Sequence, residues 1–325
     1  MKKIAFFDAK EYDIDSFNLM NEGRYEITYF DSKLTTKTVN LASSFDAVCC
    51  FVNDDVNKEV IDKLVEFKIG VLILRCAGFN NVDIAYAKDK IKVLRVPAYS
   101  PSAVAEHASA LLLTIERKIH KAYTRNREFN YSLVGLTGHN LCGKVAGIIG
   151  TGKIGYHMAR IMAGYGMEVM AYDPYPNQSL GLDYYSLEEV FEKADVISLH
   201  CPLTNETKHM INKESIAKMK NHVVIINTSR GGLINSKDLL AGLESGKIRG
   251  VGLDVFEEEA DLFFNDNSTS VNVDETLRLL SSLPNVVITA HQGYLTYEAL
   301  RNIALTSLYN LDCYFSGQEL VNEVK

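Results

Sequence analysis

Short apolar runs recur along the 325-residue chain, and stretches of helical spacing lie between them. Residues 4–7, 26–30, 47–52, 71–74 and 93–96 are apolar enough for strands, and residues 54–68 and 83–89 have a helical pattern. This alternation predicts a parallel sheet, because parallel strands need crossover connections. Ser100 and Pro101 then give a helix start: an N-cap, followed by proline at the first helical position. Val104, Leu111, Leu112 and Ile115 predict one long helix running to about residue 127. Its apolar positions exceed what one face against one domain needs, so this helix is expected in an interface between copies of the chain. Further strands are predicted at 145–149, 167–172, 195–200, 223–227, 250–254 and 286–290. Ser186 with Glu189 makes a capping box. Residues 257–283 are acidic and irregular, and read as an insertion. A final helix over about 297–315 is expected to return to the N-terminal unit.

One stretch organises the rest. The apolar run 145–149 is followed by Gly150, Gly152 and Gly155 at G-x-G-x-x-G spacing, with Thr151, Lys153 and Ile154 between them. A helical pattern with Ile154, Met158, Ile161 and Met162 on one side comes next, then a second strand closed by Asp173. Gly150 permits a tight turn, Gly152 lets backbone approach a pyrophosphate, and Gly155 lets the helix pack on the strand. Phosphates would sit at the helix N-terminus, where amides are unpaired and the dipole end is positive. Asp173 would accept hydrogen bonds from the adenosine ribose. Strand, glycines, helix and acid agree on a dinucleotide site.

Composition narrows the class. Apolar residues make up 47% and charged residues 23%, as in a globular protein, and the length suggests two domains. The net charge of −7 argues against nucleic acid or an anionic membrane as main partner. No run reaches the 18 apolar residues of a membrane span, and the start of the chain does not read as a signal peptide. The six cysteines lack C-x-x-C spacing and read as reduced thiols of a cytoplasmic protein, with no metal site.

Three predicted strands end in reactive side chains: Asn227-Thr228-Ser229-Arg230-Gly231, Asp254 followed by Glu257-Glu258-Glu259, and His291-Gln292-Gly293. Ligands collect at the carboxyl ends of strands in open parallel sheets. Arginine can clamp a carboxylate in bidentate fashion. Histidine can deliver a proton, and a glutamate can hold the imidazole and favour its charged form. Converging on a nicotinamide, the three suit hydride transfer to a 2-keto acid. Each also has a plainer reading: a surface arginine, a core histidine, and an acidic run that forms a solvated face. The pattern alone does not choose among the three glutamates. His107, within a helix, and His200, ending a strand, read as structural.

With these residues in view, the chain resembles the NAD-dependent D-2-hydroxyacid dehydrogenases, and within them the branch that interconverts pyruvate and D-lactate. The likeness runs through Phe51-Val52-Asn53-Asp54-Asp55, Arg75-Cys76-Ala77-Gly78, Val96-Pro97-Ala98-Tyr99, Val104-Ala105-Glu106-His107-Ala108 and the motifs quoted above. It implies an α/β fold of two Rossmann-like, doubly wound parallel-sheet domains. The substrate domain would be discontinuous, 1–99 plus 299–325, with the NAD-binding domain inserted as 100–298. It implies Arg230 as the substrate-binding arginine, Glu259 as the carboxylate and His291 as the acid/base. Amides of Ala77 and Gly78 would give a second grip on the substrate carboxylate, and Phe51, Tyr99 and Tyr294 would wall the pocket. On the cofactor side it implies the glycine fingerprint with Lys153, Ile154 and Asp173. Cys201, Pro202 and Thr207 would lie toward the adenosine, and Thr228, Ser229, Arg230 and Asp254 toward the nicotinamide. A homo-oligomer, dimer or tetramer, is implied as well. A binding protein that senses nucleotide on the same fold, and an enzyme for another small 2-keto acid, are the alternatives.

Overall fold

The structure, a computed structural model, describes residues 1–257, 263 and 274–324. The chain divides into two compact units, Met1–Ser100 with Tyr294–Lys325, and Pro101–Gly293. The first unit contains β1 (Lys2–Phe6), α1 (Glu11–Asn21), β2 (Tyr25–Tyr29), β3 (Ala47–Cys50), α2 (Lys58–Glu66), β4 (Val71–Leu74), α3 (Ile84–Ala87) and β5 (Lys92–Arg95). Its five strands are parallel, in the order β2-β1-β3-β4-β5. Every residue of β3 and β4 is buried, as in strands covered on both faces. The first two helices after β3 are shorter than their patterns predict, because side-chain caps set where they begin. Asn57 accepts from the Val60 amide at the start of α2, and Asp83 from the Tyr86 amide at the start of α3.

The second unit contains α4 (Pro101–Arg117), α5 (Ile119–Arg127), β6 (Val145–Ile149), α6 (Lys153–Gly164), β7 (Glu168–Tyr172), α7 (Leu187–Lys193), β8 (Val196–Leu199), α8 (Lys213–Lys218), β9 (Val223–Asn227), α9 (Ser236–Glu244), β10 (Ile248–Leu253), α10 (Glu275–Ser282) and β11 (Val286–Ile288). Six parallel strands run in the order β11-β10-β9-β8-β6-β7. The period-2 alternation of side chains divides them between two cores. Ile148, Val196, Val224 and Ile226 pack in one core with Leu111, Leu112 and Ile115 of α4 and Met158 and Met162 of α6. Ile149, Ile197, Leu199 and Ile225 pack in the other with Val190, Ile216 and Leu239. After this unit α11 (Tyr297–Ser316) returns to the first one, where Ile303, Ala304, Leu308 and Leu311 share a core with Ile4, Phe6, Ile73 and Leu94. Both units are therefore α/β with a doubly wound parallel sheet.

Three expectations need correction. The long helix after Pro101 breaks at Lys118, whose φ of 52° is left-handed. The carbonyl of Glu116 accepts from the His139 amide, and the Glu116 carboxylate is held by Arg249, so the helix end is tied down by tertiary contacts. The apolar positions of α4 are also spoken for within its own unit. A Cβ at Gly252 of β10 would stand 2.9 Å from Leu111 Cβ, so helix and strand are in close contact. No large apolar residue of α4 is exposed, so its apolar positions leave no excess for another copy. Third, residues 275–282 of the supposed irregular insertion form α10, capped by Asp274 accepting from the Leu277 amide at 2.7 Å, with Leu277 and Leu280 buried. The Asp-Glu-Thr-Leu start was readable, but the surrounding acidic run obscured it.

Candidate active site

Because all six strands of the second unit are parallel, their carboxyl ends lie along one edge of the sheet. Chain order reverses between β6 and β8, and such a switch point opens a crevice. Gly150 sits there with a φ of 90°, and a Cβ on it would stand 2.7 Å from the backbone of His200 and Cys201. A Cβ on Gly155 would stand 1.9 Å from the Gly150 carbonyl oxygen, so only glycine lets α6 approach the turn this closely. Gly152, the N-cap of α6, has nothing within 4 Å of its Cβ position, and Lys153 and Ile154 open the helix behind it.

Asp173, just after β7, accepts from the Thr151 amide (2.8 Å), the Thr151 hydroxyl (3.1 Å) and the Tyr175 amide (2.9 Å). A carboxylate offers about four acceptor positions, which leaves capacity for a further donor. Thr207 donates to the Pro202 carbonyl at 2.7 Å and accepts from the Thr204 amide at 2.8 Å, and so shapes the 202–207 loop. Burial pushes the Cys201 thiol up to about 11, in keeping with apolar cover and not reactivity. Burial lowers His200 to about 4 and keeps it neutral.

At the end of β9 the buried Asn227 accepts from the Ser229 amide (3.0 Å) and donates to the Arg230 carbonyl (2.9 Å), winding the 227–230 turn around one side chain. The Ser229 hydroxyl donates to the Cys201 carbonyl at 2.6 Å and joins this turn to the end of β8. One N–H of the half-buried Arg230 fork donates to the Ser229 carbonyl at 2.7 Å. The buried Thr228 hydroxyl has no hydrogen-bond partner among the described residues.

His291 follows β11 with a φ of 54°, a strained conformation for a residue with a Cβ. Asp254, at the end of β10 and 1% exposed, holds it there. The Asp254 carbonyl accepts from the His291 amide at 2.7 Å. Its carboxylate accepts from the Gln292 amide (2.9 Å), the Gly293 amide (2.8 Å) and the Thr289 hydroxyl (2.6 Å). His107 Nε2 stands 3.2 Å away. Burial works to raise the Asp254 carboxyl, but hydrogen bonds from His107, Thr289 and the loop amide outweigh it and hold the group below its ordinary range.

In the first unit, Phe51 lies against the Arg75 guanidinium, 4.7 Å from ring centroid to Cζ. Phe51 and Tyr99 each lie 6.1 Å, ring to ring, from Tyr294. Tyr294 is hydrogen-bonded to Tyr12, and burial raises both phenols. Asn81 donates to the Phe51 carbonyl at 2.8 Å and Asn302 to the Tyr99 carbonyl at 2.7 Å, so Phe51 and Tyr99 sit on fastened backbone. The loop after β4, with Ala77 and Gly78 half-buried, is held by Arg95 donating to the Ala77 carbonyl at 2.8 Å. Asp54, beneath Phe51, is pushed up to about 6 by burial, although Arg75 and backbone donors oppose the shift.

The description "D-isomer specific 2-hydroxyacid dehydrogenase, NAD binding domain" fits residues 109–293. D-lactate dehydrogenase of Escherichia coli K12 is 48% identical over 327 residues, covering 99% of each chain. The apo structure of D-lactate dehydrogenase from Escherichia coli superposes with a TM-score of 0.92 at 45% identity, over 99% of this chain and 100% of that one. The structure reported for the pyruvate reductase of Chlamydomonas reinhardtii superposes with a TM-score of 0.95 at 40% identity, over 99% and 98%. The chain belongs to the D-isomer specific 2-hydroxyacid dehydrogenases.

As a member of that family it uses NAD, and the sheet edge fits the cofactor. The fingerprint turn leaves open space at Gly152, Asp173 retains acceptor capacity, and Thr228 keeps a buried hydroxyl unpartnered among the described residues. Of the three residues expected to do the chemistry, Arg230 and His291 lie at the carboxyl ends of β9 and β11, while Glu259 lies outside the described residues. Glu257 pairs with His209 and accepts from the Ser236 hydroxyl at 3.4 Å, so this member of the glutamate run is engaged elsewhere. Sequence reasoning missed the part played by His107 and Thr289. A histidine inside a helix motif carries no local mark of the strand end it meets 182 residues later.

Replacing Asp254 with Asn would set an amide N–H₂ against backbone donors. We expect a loss of roughly 1–3 kcal/mol, the cost of a buried group left unsatisfied. A depressed carboxylate pKa stabilises the fold above its unfolded value of about 4 and ceases to do so as pH falls through the folded value. Urea unfolding should therefore show the gap between wild type and Asp254→Asn narrowing below about pH 4. A gap independent of pH would mean that the carboxylate is not ionised in the fold.

Proposed function

We propose that the protein is a D-lactate dehydrogenase that reduces pyruvate to D-lactate with NADH, reversibly. What carries this reading within the family is the set of aromatic walls. Phe51, Tyr99 and Tyr294 form one connected cluster braced by Arg75 and Tyr12, and bulky aromatic walls suit a short, unbranched 2-keto acid. Full-length likeness to D-lactate dehydrogenases supports it.

Arg230 holds the substrate carboxylate and polarises the keto group, with the Ala77 and Gly78 amides as a second grip. His291 delivers its proton to the keto oxygen. Glu259 pairs with the imidazole and favours its charged form. The nicotinamide, when bound, supplies the hydride. Lys153 faces the pyrophosphate, and Asp173 takes the ribose hydroxyls and repels a 2′-phosphate.

The protein acts in the cytoplasm as a homo-oligomer. We place the covering surface in the segment beyond α4, where the exposed apolar residues lie. Phe129, Leu133 and Val134 are each at least 80% exposed, and Tyr123 and Tyr131 are exposed beside them in the sequence. An apolar arm of this size calls for a partner surface, and a second copy provides it.

Steady-state assays should show kcat/KM for NADH well above that for NADPH. Pyruvate should be preferred to 2-ketoisocaproate, with some turnover of 2-ketobutyrate, since one methylene changes discrimination by only ~1–3 kcal/mol. Better turnover of the branched acid would refute the pocket assignment. His291→Ala should lower the rate by roughly 10²–10⁴. In Glu259→Gln the alkaline limb of kcat/KM for pyruvate should move to lower pH, and an unmoved limb would assign the histidine's partner elsewhere. Sedimentation should give a dimer or larger at micromolar concentration, whereas a monomer alone would contradict the arm's role.

A further inference from the structure

Asp254 draws three of its carboxylate donors from the 289–293 loop itself, and the fourth comes from elsewhere in the fold. His107 Nε2 lies 2.9 Å from Thr289 Oγ1 and 3.2 Å from Asp254 Oδ1. Hydrogen placement follows from counting. Thr289 has one hydroxyl hydrogen, and its near acceptor is Asp254 Oδ1 at 2.6 Å, against 3.5 Å to the Leu253 carbonyl. Thr289 Oγ1 can then only accept from His107, so Nε2 carries a hydrogen and forks between the hydroxyl and the carboxylate.

Backbone comes close to this contact. A Cβ at Gly293 would stand 2.9 Å from Asp254 Oδ2 and 3.5 Å from His107 Cδ2. His107 is carried by α4, whose buried face packs against the sheet. The loop, by contrast, holds His291 in a left-handed conformation that its own side chain disfavours. A strained residue keeps its conformation only when its surroundings over-determine it.

We propose that His107 is a positioning residue for the acid/base. Through Thr289 and Asp254 it pins the 289–293 loop to α4, and so fixes where His291 presents its proton. This rests on the reading of His291 as the proton donor. His107 itself touches no reacting group.

The test uses the full-length enzyme reducing pyruvate with NADH. His107→Phe keeps a ring and removes the donor, His107→Gln restores an N–H, and Thr289→Val removes the hydroxyl between the two. His107→Phe should lower kcat about 10- to 100-fold, the scale of a misplaced catalytic group, while KM for NADH stays near wild type. Its isotope effect with NADH deuterated at the transferred hydrogen should rise as chemistry becomes limiting. His107→Gln should recover most of the rate, and Thr289→Val should share the loss. Added to His291→Ala, His107→Phe should cost nothing more, because the group it positions is gone. Wild-type kcat in His107→Phe would overturn the proposal, and so would equal losses in Gln and Phe or a full further loss on the His291→Ala background. Should the Phe variant not fold, the Gln and Val variants give the same decision: loss in Val with retention in Gln supports it, and any other pattern overturns it. If His291→Ala alone keeps wild-type activity, the reading of His291 fails, whatever His107 does.

Discussion

A buried carboxylate that must find donors is the constraint on which the carboxyl edge of the six-stranded sheet depends. Asp254 is almost fully withdrawn from water, and an ionised group there persists only if it is bonded. Three of its four donors come from the turn that carries His291, so satisfying the charge and shaping the turn are largely one event. The desolvation of Asp254 is offset by hydrogen bonds, several of them from a turn that holds a left-handed residue at 291.

The same economy of atoms recurs along the sheet edge. Asn227 winds its turn as Asp254 does, with one buried side chain satisfying backbone on both sides of Arg230. Gly150 and Gly155 contribute through the absence of a Cβ, which allows strand, turn and helix to meet at the switch point. In each case a residue proposed to meet substrate or cofactor sits on backbone whose own hydrogen bonds are internal to the edge. That is how a parallel sheet turns strand ends into a rigid platform.

Much of this was legible in the sequence because it is local. Fingerprint, helix starts and strand runs depend on neighbours within a few residues, and the residues that end β6, β9, β10 and β11 could be named before their arrangement was known. What was not legible depends on contacts far apart in the chain. The break at Lys118 comes from His139 and Arg249 engaging Glu116, and nothing in Arg117-Lys118-Ile119 announces it. Burial of α4 depends on the close approach of β10 at Gly252. The glutamate run could not be resolved by pattern; the structure removes Glu257 from it through His209.

The most direct measurement of the central claim is the handedness of the product. Lactate formed from pyruvate and NADH by the purified protein, separated by chiral chromatography, should be the D isomer alone, and D- but not L-lactate should support NADH formation in reverse. L-lactate, a racemate, or no lactate at all would contradict the account.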